Sequence, residues 1–188
     1  MTGIDAADLP LVTRDDVSRL QVALAAVGRG EAEALGELFD ACGADLYGLA
    51  LCRTGHIQDA EDVLQEVFVR LARSRAGLGK VRNPRSYLLG MAHRASIDVL
   101  RRRRQVVGLD EGLLEATGVD QDRVVDAGRL AALLGELPDA QREAVWLRHF
   151  AGLSFAEIGD VTEVPTFTAA SRYRLGIARL RRRLGVEP

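Results

Sequence analysis

The stretch Ser154–Leu184, SFAEIGDVTEVPTFTAASRYRLGIARLRRRL, decides the fold of the C-terminal part of the chain. Ser154 and Glu157 form a capping-box pattern, which predicts the start of a short helix. The segment Glu163–Pro165 predicts a turn, and a longer helix begins near Thr166. These are the parts of a helix-turn-helix, although an ordinary helical hairpin with a solvated arginine face gives the same pattern.

The two sides of the longer helix differ in polarity. The side predicted to pack inward carries apolar residues at helical spacing, namely Tyr173, Ile177, Leu180 and Leu184. The opposite side carries small polar and forked basic residues, namely Thr168, Ser171, Arg172, Arg179 and Arg182. Residues 166–184 contain six arginines and no acid, so nothing on this helix repels phosphate. Such a helix is able to enter the major groove of DNA.

Charge is segregated along the chain. The 188 residues carry a formal net charge of −2. Residues 70–104 nevertheless contain eleven basic residues and a single acid, Asp98, which gives this block a charge of +10. The six arginines of residues 166–184 form a second basic block, and the remainder of the chain is acidic. Two basic blocks on an acidic chain predict two polyanion-binding surfaces.

The N-terminal half predicts a series of helices. Apolar spacing predicts one helix from Glu31 to Cys42, stopped by Gly43, and a second short helix that ends near Thr54 and Gly55. The most regular apolar stripe, within Asp59–Leu71, predicts a third helix. Pro84 opens a fourth helix, which runs to about residue 104.

The predicted fold class is all-α, with two small helical domains joined by a flexible acidic linker. Residues 1–28 form an N-terminal extension whose first helix spans about 14–27, and residues 29–104 form the first domain. Residues 129–188 form the second domain, which contains the helix-turn-helix. Between them, residues 105–128 lose their periodicity and carry an excess of acids, which predicts the linker.

Composition and motifs exclude several classes of protein. No apolar run reaches the roughly 20 residues that cross a bilayer, and the acidic N-terminus does not resemble a signal peptide. We therefore expect a cytoplasmic protein without membrane insertion. Cys42 and Cys52 lie among apolar residues and are interpreted as buried, inert thiols. The sequence has no phosphate-binding glycine loop and no convincing catalytic or metal-ligand set, so we expect no enzyme, no metal and no cofactor.

Five motifs resemble the extracytoplasmic-function (ECF) sigma factors of the sigma-70 family. Asp59–Leu71 (DAEDVLQEVFVRL) is similar to their polymerase-binding helix, and Asn83–Arg102 (NPRSYLLGMAHRASIDVLRR) to the helix that recognises the −10 element. Leu137–Val145 (LPDAQREAV), Gly152–Ile158 (GLSFAEI) and Thr168–Arg172 (TAASR) resemble their −35-binding domain. The resemblance implies a subunit that gives bacterial RNA polymerase its promoter preference, melts the −10 region and starts transcription.

The resemblance also implies three sets of site residues. The set facing the clamp helices of the largest polymerase subunit is Asp62, Gln65 and Glu66, for which a solvated polar face is the alternative. The set for the −10 element is Arg82, Arg85, Tyr87, His93, Arg94, Asp98, Arg101 and Arg102, with Ser96 beside them. The set for the −35 element is Thr168, Ser171, Arg172, Arg174 and Arg179, of which the last two are assigned to the DNA backbone.

Three positions depart from the family pattern. Tyr87 stands where tryptophan is usual, and it either packs the helix start into the core or stacks on a base. Arg94 stands where asparagine is common, and arginine prefers guanine or phosphate to adenine. Ala170 stands where lysine is common, so one DNA contact is missing. The −10 preferences of the family are therefore not expected to transfer unchanged.

The joint mechanism is a hypothesis based on the two basic blocks. The C-terminal domain docks on duplex DNA upstream, the N-terminal domain captures a melted strand downstream, and core polymerase, including the flap of its second largest subunit, sets the spacing. An anti-sigma factor that hides both DNA-binding surfaces is an expected regulator. The alternative is a stand-alone helix-turn-helix transcriptional regulator, which predicts tight operator binding without polymerase and a dimer with paired half-sites.

Overall fold

The computed structural model describes residues 14–74, 77–107 and 133–185, and the regular elements in these segments are all helical. The N-terminal unit contains α1 (Arg14–Arg29), α2 (Glu33–Thr54), α3 (Ile57–Arg73), a 3-10 turn (Leu78–Lys80) and α4 (Pro84–Val107). The C-terminal unit contains α5 (Asp139–His149), α6 (Phe155–Thr162) and α7 (Thr166–Leu184). The predicted all-α fold class is confirmed. Residues 105–107 of the predicted linker complete α4, and its remainder lies outside the described residues.

The second helix is longer than predicted. α2 passes through Gly43 without a break, so the prediction of two short helices separated at this glycine was wrong. Gly43 is buried within the helix, where a Cβ would lie 3.4 Å from the ring of Phe39. The helix ends instead at Gly55, whose left-handed φ of 70° lets its N–H bond to the carbonyl of Leu51. Arg53 therefore lies in the last turn of one continuous helix.

The first helix belongs to the core of the N-terminal unit. Leu20, Leu24 and Val27 of α1 are buried in the same cluster as Leu38 of α2 and Leu71 of α3. Burial of each such side chain contributes about 1.5–3 kcal/mol. The helix predicted within the extension is thus present, and it packs against α2 and the 3-10 turn.

The two units pack against each other. Trp146 and Leu147 of α5 are buried in the same cluster as Leu89 and Ala92 of α4. α2 contacts α5, and α4 contacts α6. The ring of Trp146 occupies the space beside Gly48 of α2, where a Cβ would lie 2.8 Å from its Cζ2 atom.

We call this contact the interunit seam. Its central residues come from both units, namely Gly48, Arg53 and His93 of the N-terminal unit and Glu143 and Trp146 of the C-terminal unit. The sequence predicted the two units but gave no sign of the seam.

A smaller core holds α7 on the C-terminal unit. Leu134, Leu137 and Val145 are buried against Tyr173, Ile177 and Leu180, which confirms the predicted inward side for these three residues of α7. Leu184 was predicted to face inward as well, but it is 52% exposed because the last turn of α7 extends into solvent. None of the helices in the described segments is long and apolar enough to cross a bilayer.

Candidate nucleic-acid interface

The turn between α6 and α7 fixes the direction of the basic helix. The hydroxyl of Ser154 accepts a bond from the N–H of Glu157, whose carboxylate accepts one from the N–H of Ser154 at 2.8 Å. This capping box was predicted and is confirmed. Glu163 ends α6 with a left-handed φ of 56°. A Cβ on Gly159 would lie 2.7 Å from the carbonyl oxygen of Val164, so the close turn requires glycine at residue 159.

The side chains predicted to read the −35 element lie at the surface of α7. Thr168, Ser171 and Arg172 are each partly exposed, and Arg174 and Arg179 are exposed. The guanidinium of Arg179 donates to the side-chain oxygen of Gln141 at 3.0 Å, which ties this arginine to α5. The other residues of the set lie along α7 on the turns that follow Pro165.

Sequence reasoning missed two apolar residues of this surface. Phe167 is 73% exposed, although it is a large aromatic side chain at the second position of α7. Leu175, which follows Thr168 by seven residues and so shares its side of the helix, is 53% exposed. The signal that could have found Phe167 is an aromatic residue next to the predicted base-reading threonine, outside the inward stripe.

The basic side chains of α4 and of the loop before it fall into two groups. Arg82, Arg94, Arg101 and Arg102 are exposed, as the predicted −10 surface requires. Arg94 donates to Oε1 of Glu163 at 3.2 Å, and therefore contacts the turn of the helix-turn-helix across the seam.

Three other side chains of the −10 set are buried, so their predicted access to a DNA strand is not present in this arrangement. Arg85 is 8% exposed and pairs with Asp45 at 2.7 Å. Ser96 is fully buried and donates to the carbonyl of Ala92. His93 is 7% exposed because the C-terminal unit covers it. Tyr87 is half-buried against the core, as its packing alternative predicts.

Glu143 accounts for the burial of His93. Its carboxylate is 3% exposed; Oε1 lies 2.6 Å from Nδ1 of His93, and Oε2 accepts from Nη1 of Arg53. Neither Arg53 nor Glu143 was singled out from the sequence. The available signal was an acid directly before the apolar residues Ala144 and Val145 in a helix that packs inward.

The predicted polymerase-binding residues line one groove between α3 and α4. Asp62 and Gln65 are exposed and Glu66 is half-buried, and the groove has a volume of about 500 Å³. Glu66 accepts from Arg70 at 2.7 Å, and this bond raises the pKa of the Arg70 guanidinium. Arg70 also reaches Asp98, which was predicted for the −10 set and is held here in ion pairs with Arg70 and Arg101.

Both cysteines are free and buried, as predicted. Burial raises the pKa of Cys42 and of Cys52 to about 12. For Cys52 the guanidinium of Arg142 opposes this effect and the carboxylate of Glu143 adds to it, so the thiol lies next to the seam. Within the part of the chain that the structure describes, no group of three or more histidine, cysteine or acidic residues could hold a metal ion.

Comparison with known proteins gives consistent results. The family model for Sigma-70 region 2 matches residues 38–106, and that for Sigma-70 region 4 matches residues 127–180. The chain is 34% identical to the ECF RNA polymerase sigma factor SigK of Mycolicibacterium vanbaalenii, over 96% of this chain and 95% of that protein. It is 26% identical to the ECF RNA polymerase sigma factor SigW of Bacillus subtilis, over 84% of this chain and 92% of that protein.

Among solved structures, the chain resembles CnrH in complex with the cytosolic domain of CnrY. The TM-score is 0.65 at 22% identity, covering 89% of this chain and 98% of the other, which supports the helical fold. The region 2 match covers most of α2 and all of α3 up to nearly the end of α4, and the region 4 match covers α5, α6 and most of α7, in the same order as the sequence motifs. The chain belongs to the ECF sigma factors of the sigma-70 family, and its function is that of an RNA polymerase sigma factor in transcription initiation.

Proposed function

We propose that the C-terminal unit reads the −35 element through α7 while the N-terminal unit holds the melted −10 strand on the polymerase. The observation that carries this proposal is the surface of α7. A capped, glycine-dependent turn orients a helix whose six arginines are not accompanied by any acid. A helix of this kind meets the charge requirement of major-groove binding.

At the −35 element, Arg172 is the candidate for base reading because a guanidinium can donate two bonds to guanine. Thr168 and Ser171 lie on the same side of α7 and suit either bases or phosphate. Phe167 adds an exposed apolar surface beside them, and apolar side chains in the major groove contact the methyl group of thymine. We assign Arg174 and Arg179 to the DNA backbone.

At the −10 element, the exposed arginines of α4 and of the loop before it supply charge for a single strand. Arg82, Arg101 and Arg102 suit phosphate contacts, whose affinity arises largely from counterion release. Arg94 suits phosphate or guanine rather than adenine. Arg85 and Ser96 contribute to packing within the N-terminal unit instead. Arg85 pairs with Asp45 of α2, and Ser96 donates to a carbonyl of its own helix.

On the polymerase side, Asp62, Gln65 and Glu66 would accept charge-assisted bonds from the clamp helices of the largest subunit. A few apolar anchors usually supply most of the affinity of such an interface. Phe39 is a candidate anchor because it is 50% exposed and lies against Phe68 of α3, with ring centroids 5.4 Å apart. The C-terminal unit would contact the flap of the second largest subunit.

We also propose that the chain performs no covalent chemistry, needs no cofactor and works in the cytoplasm, where RNA polymerase acts. An anti-sigma factor is a further proposed partner. The support for it is the similarity in fold to CnrH, whose solved structure contains the cytosolic domain of CnrY.

Run-off transcription tests the proposed function. The chain is added to sigma-free core polymerase with a library of promoter fragments, and we expect promoter-dependent transcripts that require both partners. Tight operator binding by the free chain, together with no transcripts from any promoter, would support the stand-alone regulator instead.

A further inference from the structure

Acidic side chains of the C-terminal unit cover the surface that the N-terminal unit would offer to the −10 strand. Glu143 pairs with His93, and Glu163 pairs with Arg94, the next residue of α4. Glu157 accepts from the side-chain amide of Asn83 at 2.7 Å, directly before the start of α4. Three carboxylates of one unit thus contact polar groups on or beside a single helix of the other unit.

The contact made by Glu143 has the chemistry of a phosphate site. Its two oxygens are taken by two different groups, Arg53 and His93, in the way that two oxygens of a phosphate would be. Arg53 also keeps a buried Nε–H without a hydrogen-bond partner. A guanidinium binds phosphate best through two parallel N–H donors, and the carboxylate of Glu143 uses only one of them.

The seam combines features of a closed interface with features that favour separation. Trp146 and Leu147 bury apolar surface, which stabilises the closed arrangement. The pair of Arg53 and Glu143 loses hydration on burial, and an unsatisfied guanidinium N–H adds to that cost. Opening the seam would return these charges to water or to another anion.

We propose that Arg53 and His93 form a binding site for a backbone phosphate of the −10 strand, and that Glu143 occupies this site as an internal mimic of the phosphate while the units are closed. Opening of the seam exchanges the carboxylate of Glu143 for a phosphate of the single strand. The inference rests on the proposed function, because it names a further contact of the same −10 surface.

Closure then lowers the DNA affinity of the free chain. If only a fraction of the molecules is open, the observed affinity for a single strand falls by that fraction. Any change that weakens the seam without touching Arg53 or His93 should therefore strengthen binding of single-stranded DNA.

Two variants open the seam in different ways. Glu143→Gln removes the charge that pairs with Arg53 but keeps the size of the side chain. Gly48→Ala changes no charge, but its Cβ would lie 2.8 Å from the ring of Trp146 and would push α5 away from α2. Glu136→Gln is the matched control, because it makes the same charge change at an exposed pair with Arg183, within the C-terminal unit.

The probe is a short oligothymidylate, whose binding to the full chain is measured by filter retention. We expect about tenfold tighter binding by Glu143→Gln and by Gly48→Ala than by the native chain, and no change for Glu136→Gln. The double variant Arg53→Gln/Glu143→Gln should lose this gain, because its seam is weakened but one phosphate ligand is missing. Circular dichroism shows whether each variant retains its helices.

Alkylation of the native thiols by iodoacetamide reports opening independently of DNA. Cys52 lies beside Arg142 and Glu143, whereas Cys42 is buried within the N-terminal unit beside Asp45 and Arg85. We expect both opening variants to speed alkylation of Cys52 relative to Cys42. In the Gly48→Ala variant this would occur without any change in the charges around the thiol.

Two results would overturn the inference in chains that keep their helices. One is unchanged oligothymidylate binding by both opening variants while Cys52 becomes reactive. The other is equal binding by Glu143→Gln and by Arg53→Gln/Glu143→Gln. Either result leaves the proposed function standing if the native chain still directs run-off transcription, so the two failures are distinguishable.

Discussion

Nδ1 of His93 lies 2.6 Å from Oε1 of Glu143, although the two residues are 50 positions apart and belong to different helical units. The motif around His93 resembles a DNA-binding helix, and the motif around Glu143 resembles the −35-binding domain of the family. His93, which is proposed to contact DNA, therefore also takes part in the packing between the units. A His93 variant that binds promoter DNA poorly must be compared with the native chain in thermal unfolding, because lost packing and lost DNA contact reduce binding alike.

The contact with polymerase is tested at Glu66. Glu66→Arg reverses the charge in the groove between α3 and α4 and breaks the ion pair with Arg70, so we expect weak binding to core polymerase. Glu37→Arg is the control, because it makes the same charge change at an exposed position of α2. Co-elution of each variant with core enzyme measures the effect. Equal retention of the two variants would show that the groove does not face polymerase.

The reading of the −35 element is tested at Arg172. If its guanidinium contacts a base, Arg172→Ala should cost about 1–3 kcal/mol of binding at one position of the element. Arg174→Ala, which removes a proposed backbone contact, should weaken binding about equally for all sequences and reduce the salt dependence. Affinities of each holoenzyme for promoters substituted at one −35 position at a time, measured at several salt concentrations, give both patterns. A uniform loss for Arg172→Ala would assign that residue to phosphate as well.

The exposed ring of Phe167 is expected to favour thymine at one −35 position. Phe167→Ala should reduce this preference while leaving stability nearly unchanged, because the ring is 73% exposed in the free chain. Replacement of that thymine by uracil, which lacks the methyl group, should weaken binding of the native chain and have little effect on Phe167→Ala. The idea fails if the native chain does not distinguish the two bases at any −35 position.

Two glycines give opposite predictions for stability. Gly159→Ala would place a Cβ 2.7 Å from the carbonyl of Val164 and should destabilise the C-terminal unit by about 1–3 kcal/mol. Gly36 lies in α2 with no atom within 4 Å of the added Cβ, so Gly36→Ala should stabilise the chain by about 0.5–1 kcal/mol. Urea unfolding measures both changes. Similar effects of the two substitutions would contradict the tight turn before α7.

The capping box at Ser154 and Glu157 is expected to contribute less to the stability of the fold at acidic pH. Burial raises the pKa of Glu157, but hydrogen bonds from Ser154 and Asn83 and the positive charge of Arg85 outweigh it, so the pKa lies below its usual value of 4.5. A carboxyl with a lower pKa in the folded state stabilises the fold above the unfolded value, and that stabilisation is lost as the pH falls through the folded value.

Glu157→Gln should therefore be less stable than the native chain at neutral pH, and the difference should narrow below pH 4.5. Thermal unfolding from neutral pH to below pH 4.5 measures this difference in stability. Glu37→Gln is the control for removal of an exposed carboxylate. A stability difference between Glu157→Gln and the native chain that stays constant with pH would mean that the charge of Glu157 does not stabilise the fold.

The sequence predicted those features that depend on local patterns. The capping box at Ser154, the proline that opens α4 and the inward stripe of α7 are local in sequence, and the structure confirms them. The predicted helix end at Gly43 was wrong because helix propensity is a weak preference that packing overrides. Here the glycine lies against Phe39 inside a helix.

Contacts between residues that are distant in sequence could not be predicted from local sequence patterns. Nothing in the local spacing indicates that Glu143 meets Arg53, 90 positions away, or that Gly48 makes room for Trp146. The same contacts explain why His93 is buried although its motif predicts exposure to DNA. The family resemblance implied a DNA-binding role for each unit, while the packing between the units became visible only in three dimensions.

Trp146 is the only tryptophan of the chain, and its ring lies between Gly48 and the aromatic ring of Phe150. Its intrinsic fluorescence therefore reports the environment of one known location. Indole emission moves to longer wavelength when water reaches the ring. An unlabelled native preparation thus carries its own optical probe of whether the two helical units are together or apart in the free chain.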